Sequence, residues 1–390
     1  MQFTVSSSAL LKQLSGIKGV IASNPVIPIL ENFLFDIKGG ELTVTASDLQ
    51  TSMVVTLPVQ ASDDAAIAIP ANILMDTLKN LPEQPVTFVL ERSTYGVELR
   101  SDNGQYKLAG ENAVDFPRIP ELRDATTLEV TSDAIHRAVS NTIFATSTDE
   151  LRPAMTGVLV QMDETNSTFV ATDGHRLIRY RGAAARPSEN GDGGTAQAAP
   201  PVSIILPRKA LNLLKATLPA DDTQLTMSFN RSNAFFRFNN TRMICRLIDE
   251  RFPDYENAIP TNNPNVLTIE RMPLLNSLKR IDIYANKTTH QVRLKIEATE
   301  LNVSAEDLDF SNEASETLPC EFSADGQPGE PMVIGFNARF LIEMLNNMHS
   351  DMIAIELSTP NRAGLIMPKE KETEEDILML VMPVMLNNYV

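Results

Sequence analysis

The sequence is poor in the residues that usually carry chemistry. Its two cysteines, Cys245 and Cys320, stand 75 positions apart. That is too few for a disulfide framework, so both are expected as reduced thiols in the core of a cytoplasmic protein. Four histidines, with no C-x-x-C and no H-E-x-x-H, offer no recognisable metal site. Neither G-x-x-x-x-G-K-[ST] nor a strand-borne G-x-G-x-x-G occurs, so no cofactor is expected. No apolar run approaches the ~18 residues of a membrane span. The opening MQFTVSSSALL lacks the basic stretch and long apolar core of a signal peptide. Positive charge is also short, with 33 basic against 50 acidic residues and a net charge of −17. A simple nucleic-acid binder is normally basic, because phosphate neutralisation drives that affinity. Taken whole, the charge argues against DNA; its distribution argues otherwise.

What is present is repetition. The chain has 390 residues, 43% apolar and 21% charged, enough for two to four soluble domains. AIAIPANILMDTLKNLP (66–82) is matched by VSIILPRKALNLLKATLP (202–219) and more loosely by PMVIGFNARFLIEMLNNM (331–348). Each is a short β-type run, a break at Pro70, Pro207 or Phe336, and then a helical pattern. ELTVTASD (41–48), STFVATD (167–173) and ELNVSAED (300–307) form a second recurring block, ending on Asp48, Asp173 and Asp307. DFPRIP (115–120) and RFPDYENAIP (251–260) close the first two copies. Equivalent landmarks lie 125–137 residues apart, too long for a solenoid repeat, so each copy is expected to have its own core. The domains are placed at 1–123, 124–263 and 264–390, with a flexible Gly/Pro/Ala/Ser-rich surface loop at 183–201 and a charged turn at 368–376.

Within a copy the order is strand, helix, several strands, helix, more strands. Ser6–Ser8 supply a cap, after which Leu10, Leu14, Ile17 and Ile21 keep one helical face. NFLFDI, ELTVTA and MVVTLPV read as strands separated by turn residues. The fold class is therefore α+β: three repeated domains, each with two helices packed on antiparallel sheets.

Six helices are expected at 7–23, 71–81, 132–146, 207–218, 271–284 and 337–347. Together they hold eleven basic and four acidic residues, a net +7 that leaves −24 on the rest of the chain. Helical projection sharpens the contrast. Ala210, Leu211, Leu213 and Leu214 share one side of their helix, with Arg208, Lys209, Asn212 and Lys215 on the other. Leu274, Leu278 and Ile281 likewise oppose Asn276, Lys279 and Arg280. Repeated basic faces suit a polyanion held without base readout, since no aromatic is interleaved for stacking and no recognition helix is evident. The cations expected to face DNA are Lys12, Lys79, Arg137, Arg208, Lys209, Lys215, Lys279, Arg280 and Arg339.

ATDGHRL (171–177) raises a second possibility, because Asp173 and His175 stand close enough to suggest a hydrolase dyad. No nucleophile or oxyanion loop accompanies them, and the equivalent Asp48 and Asp307 lack a following histidine, so a structural turn is the stronger reading. A scaffold protein of three domains without a DNA-encircling pore is the other alternative.

The triplication, the opening FTV…LL, NPVIPILENFL (24–34), ATDGHRL, LPRKAL (206–211), RFPDYENAIP and the tail VMPVML (381–386) closely resemble the bacterial DNA polymerase III beta subunit family, the sliding clamps, from residue 1 to about 386. The resemblance implies a DNA clamp fold that closes as a head-to-tail homodimeric ring around double-stranded DNA. It implies a processivity factor with no active site of its own, no cofactor and no membrane contact. Such a clamp tethers the replicative DNA polymerase, is opened by a clamp loader, and receives other proteins carrying clamp-binding motifs. A hydrophobic peptide pocket is implied at Thr172, Gly174, His175, Arg176, Leu177, Leu380, Met382, Pro383, Val384, Met385 and Leu386, with Met155 and Pro253 nearby. Arg152 falls in a loop expected on the pore side. For the dimer seam, the resemblance sets Leu108 of YKLAG against Ile283 and Tyr284 of the partner subunit. Three features depart from the family: Asn24 and Met385 occupy positions that are often basic, and Asn387–Val390 run past the usual terminus.

Overall fold

The computed structural model describes residues 1–163, 166–183, 186–187, 202–219, 221–370 and 375–386. The 183–201 insertion, the middle of the 368–376 turn and the Asn387–Val390 extension fall wholly or largely outside the described residues. Among the described residues are six α-helices: α1 (Ser7–Ile17), α2 (Ala71–Asn80), α3 (Ser132–Thr142), α4 (Arg208–Thr217), α5 (Arg271–Ile281) and α6 (Ala338–Asn346).

Local chemistry sets their ends. The Ser6 hydroxyl accepts the Ala9 N–H at 3.3 Å, and Leu10, Leu14 and Ile17 are buried at one-turn spacing behind it. The Asn337 side chain accepts from the N–H groups of Arg339 and Phe340 at 2.9 and 3.4 Å. α1 was expected to reach residue 23 but stops at Ile17, and Lys18–Val20 tightens into a 3-10 turn. Gly19 is a poor helix former, and a Cβ there would stand 2.9 Å from Leu213 Cδ2. Leu213 is accordingly half-buried against Gly19, while Ala210, Leu211 and Leu214 form the buried face of α4.

The strands make four antiparallel sheets of five, nine, ten and four strands. Contacts sort the chain into two compact units. The first is built mainly from Met1–His136 and Lys209–Leu247 and holds the five- and nine-stranded sheets. The second, mainly Ile248 onward with 137–183 and 202–208, holds the ten- and four-stranded sheets. The central repeat contributes strands to both units. Its strand Thr241–Arg246 pairs with Thr51–Pro58, Thr241 opposite Val55. Its strand Arg176–Ala183 pairs with Asp376–Val381, Leu177 opposite Leu380. The cause is backbone hydrogen bonding: a strand at a repeat boundary satisfies its N–H and C=O groups by extending its neighbour's sheet.

In the first unit, Phe3 stacks on Phe88 at 4.7 Å and 2°, with Phe35 tilted against both. Cys245 is buried, and burial pushes its thiol up to about 12. Cys320 is only half-buried at the start of a hairpin strand, so it is not the core thiol expected; burial and nearby Glu300 push it up to about 11. No helix among the described residues is long and apolar enough to cross a membrane.

Candidate peptide-binding site and basic helix faces

The ATDGHRL loop is a turn built around one carboxylate. Asp173 Oδ1 accepts the N–H groups of His175 and Arg176 at 2.9 and 3.0 Å, and Oδ2 accepts Arg176 Nε at 3.1 Å. Thr172 Oγ1 takes the Gly174 N–H at 3.1 Å and donates to the Arg176 carbonyl at 2.7 Å. Gly174 has φ +90°, a backbone conformation that favours glycine, and the tip of the Arg152 side chain lies against it. The His175 ring stacks on Phe340, centroids 6.1 Å apart and 20° between planes. Asp173 is thus occupied by the turn and by Arg176, and His175 rests on an aromatic ring. The pair forms no acid–base dyad.

The same turn recurs in full at Asp48 and in part at Asp307. Asp48 Oδ1 accepts from Gln50 and Thr51 at 3.0 and 2.6 Å, Leu49 donates to Ser47 Oγ at 3.2 Å, and Leu49 has φ +75°. Asp307 accepts the Asp309 N–H at 3.1 Å. The recurring aspartate is a turn former.

Arg176 and Leu177 leave the turn in opposite directions, as alternate strand residues must. The Arg176 side chain is buried: its guanidinium lies 4.8 Å from the Phe340 ring centre, pairs with Glu343 of α6, and donates to the Phe144 carbonyl at 3.0 Å. Arg176 therefore pins the loop to α6 and is not a wall of the apolar site. Leu177 enters a cluster with Leu380, Leu378, Leu365, Ile205 and Tyr255, edged by half-buried Ala154, Ile248, Phe252, Ile259 and Met367. The Tyr255 hydroxyl donates to Gln161 Oε1 at 2.9 Å, and burial raises its pKa above the ordinary phenol range. Gly157 is indispensable beneath this surface, since a Cβ would meet Leu206 O at 2.5 Å and Ile248 Cδ1 at 2.8 Å.

The tail lies beside the turn. The Met382 N–H donates to the His175 carbonyl, and the Val384 N–H to the Gly335 carbonyl, both at 2.9 Å. Gly335 admits this crossing, since a Cβ would lie 2.7 Å from Leu386 Cδ2 and 2.8 Å from Val384 O. Pro383, between the two anchors, is half-buried, while Met382 and Met385 remain 42% and 83% exposed. Apolar side chains held on a fixed backbone yet open to solvent make a surface able to accept varied apolar ligands. Met155 and Pro253 are half-buried beside Ala154 and Phe252. Sequence reasoning missed Ala154, Ile248, Phe252, Ile259, Leu365 and Met367. Phe252 and Ile259 sit in the repeated RFPDYENAIP block and could have been carried with Pro253; Leu365 and Met367 carry no motif.

Most of the expected DNA-facing cations have carboxylate partners. Lys79 pairs with Asp76 at 3.7 Å, Arg137 with Glu375 at 2.6 Å, Arg339 with Asp282 at 3.9 Å, and Lys209 with Asp48. Arg280 makes two 2.7 Å bonds to Glu316, holding that carboxyl below the ordinary range. Arg152 pairs with Asp149 at 2.9 Å beside Gly174, so it borders the turn. Lys279 donates to Asn346 at 3.4 Å. Lys12, Arg208 and Lys215 have no ion pair among the described residues. Where both partners are exposed, as in Lys79–Asp76, a pair contributes only ~0–1 kcal/mol.

Leu108 is half-buried on Gln105–Ala109, the edge strand of the five-stranded sheet. Beside it, exposed Ile73 and Tyr106 border a cavity of ≈390 Å³ with Leu81. Ile283 and Tyr284, just after α5, are 63% and 43% exposed, and Asn312–Pro319 forms an open edge of the four-stranded sheet.

The chain is similar to known proteins along nearly its whole length. The family models for the N-terminal, central and C-terminal domains of the DNA polymerase III beta subunit match residues 1–120, 129–254 and 256–384. The beta sliding clamp of Vibrio cholerae is 27% identical over 387 residues, covering 99% of this chain and 100% of that protein. That of Synechococcus elongatus is 28% identical over 399 residues, covering all of both. The crystal structure of the Pseudomonas aeruginosa DNA polymerase sliding clamp has a TM-score of 0.90 at 25% identity, over 99% of this chain and 100% of that one. A P. aeruginosa sliding clamp bound to griselimycin has a TM-score of 0.89 over the same shares. By sequence over three consecutive domains and by fold over nearly its full length, the chain belongs to the DNA polymerase III beta subunit family.

Proposed function

We propose that this chain is a DNA polymerase processivity factor: a sliding clamp whose two copies close head to tail around duplex DNA and tether the replicative polymerase without chemistry of their own. The observation that carries the reading is the end-to-end match to three beta-subunit domains, joined to a fold with a TM-score of 0.90 to a sliding clamp. Two open sheet edges support closure. Gln105–Ala109 of one copy extends Asn312–Pro319 of the next, and Ile283 and Tyr284 of the partner subunit enter the cavity beside Tyr106. Capping both edges removes an aggregation hazard and buries exposed apolar side chains.

The basic faces of α1, α4 and α5 hold DNA through phosphates, loosely and without reading bases. The cluster around Leu177 and Leu380, with Met382 and Met385 of the tail, takes short apolar peptides from the polymerase, the clamp loader and other clamp-binding proteins. The working compartment is the cytoplasm. Reversing charge at Arg208, Lys209 and Lys215 is the test of the DNA reading. Loading and processive synthesis are expected to fall together, with a steep salt dependence of residual DNA contact; unchanged processivity would favour a scaffold without a pore.

A further inference from the structure

We propose that a groove on the nine-stranded sheet, beneath the connector Ile119–Leu122, is a second docking site, for an extended peptide carrying an acidic residue and, two positions along, an apolar one. The groove encloses ≈790 Å³. Its floor comes from two paired strands, Asn233–Phe238 and Thr241–Arg246, with Arg237 directly opposite Arg242 and Phe235 directly opposite Ile244. Pro120 and the half-exposed Leu122 form the wall.

The arginines are the unusual feature. Like charges directly opposite across a sheet are destabilising, and this chain has 50 acidic residues from which to supply a partner. Arg100 and Arg280 each hold a carboxylate. Arg237 and Arg242 are both exposed, and neither has a side-chain partner among the described residues. A single carboxylate set between the two guanidinium groups accepts charge-assisted hydrogen bonds from both and relieves their repulsion. The Phe235–Ile244 pair lies two residues further along the same face, ~7 Å away at the rise of an extended chain. Alternate side chains of an extended peptide have that spacing, so a carboxylate on the arginines places the second side chain on Phe235, against Leu122. Glu129, reached by Gln224 at 3.5 Å, and Glu121 border the same groove. Their negative charge disfavours a phosphate backbone, and the apolar half of the floor has no use for one; a peptide is the better occupant.

The test uses the full-length chain and a fluorescein-labelled hexapeptide, Gly-Ser-Glu-Ser-Phe-Gly, followed by anisotropy. Replacing its Glu by Lys, or its Phe by Ser, is expected to weaken binding about tenfold or more. The double variant Arg237→Ser/Arg242→Ser is expected to do the same while melting no lower than the parent, because repulsion has been removed. Met382→Asp, at the other site, is expected to leave this affinity unchanged. The proposal is overturned if the peptide does not bind at millimolar concentration or if the double variant binds it normally. It is equally overturned if Met382→Asp abolishes binding, if a duplex oligonucleotide displaces the peptide, or if the double variant melts several degrees lower.

Discussion

In the first repeat a 3-10 turn, Pro28–Glu31, leads into the strand Asn32–Lys38, with Asn32 opposite Pro70. In the second, a 3-10 turn at Pro153–Thr156 leads into Gly157–Met162, with Gly157 opposite Pro207. The two corners are equivalent position by position, and their side chains differ. Ile29 and Leu30 are 5% and 1% exposed and pack with Ala68 and Phe116. Their counterparts, Ala154 and Met155, are half-buried. The Asn32 side chain donates to Glu111 Oε1 at 2.7 Å, and the Glu111 N–H bonds the Ala68 carbonyl. In the second corner Gly157 leaves room for Ile248, whose N–H bonds the Ile205 carbonyl in the same way. One corner is filled by its own turn and sealed with a polar bond. The other exchanges those side chains for smaller or apolar ones and stays open. The second corner leaves apolar surface open by carrying less side-chain volume at equivalent positions.

The largest effect expected from breaking this difference is in the closed corner. Leu30→Ala should cost about 2–5 kcal/mol of stability, the range for deleting a fully buried leucine side chain. Met155→Ala, at the half-buried equivalent, should cost less than half as much; urea unfolding of both variants checks the ratio. Next in size is the open corner's ligand. Met382→Asp with Leu386→Asp should weaken a fluorescent clamp-binding peptide of the replicative polymerase about 100-fold, ~2.7 kcal/mol, with an unchanged circular dichroism spectrum. If binding survives, the peptide sits elsewhere. Ala154→Leu, which gives the second corner the bulk of the first, should reduce peptide affinity about tenfold while melting within a few degrees of the parent. The smallest effect concerns the two turns. Leu49 holds a positive φ that Gly174 holds without strain, so Leu49→Gly should raise stability by ~1 kcal/mol. Gly174→Ala should lower it by about as much, because φ +90° is strained for a residue with a Cβ.

The turns were legible in the sequence because their chemistry is local: one aspartate, two N–H groups two and three residues on, and a residue able to take positive φ. The recurrence of Asp48, Asp173 and Asp307 by itself points to a structural role. Helix faces were equally readable, since Leu274, Leu278 and Ile281 follow a periodicity of adjacent turns. The open corner was only half legible. Leu177 and Leu380 were found through motifs. Ile248, Leu365 and Met367 are ordinary apolar residues that meet only because the strands Arg176–Ala183, Asp376–Val381 and Gly364–Pro368 pair side by side. The long-range ion pairs were invisible for the same reason: the carboxylates beside Arg137 and Arg280 come from 238 and 36 positions further along the chain.

Retention on DNA tests the central claim most directly. After loading onto nicked circular duplex, the protein should remain bound through gel filtration in moderate salt and be released when the circle is cut once by a restriction enzyme. Equal release from intact and cut circles would contradict the encircling grip.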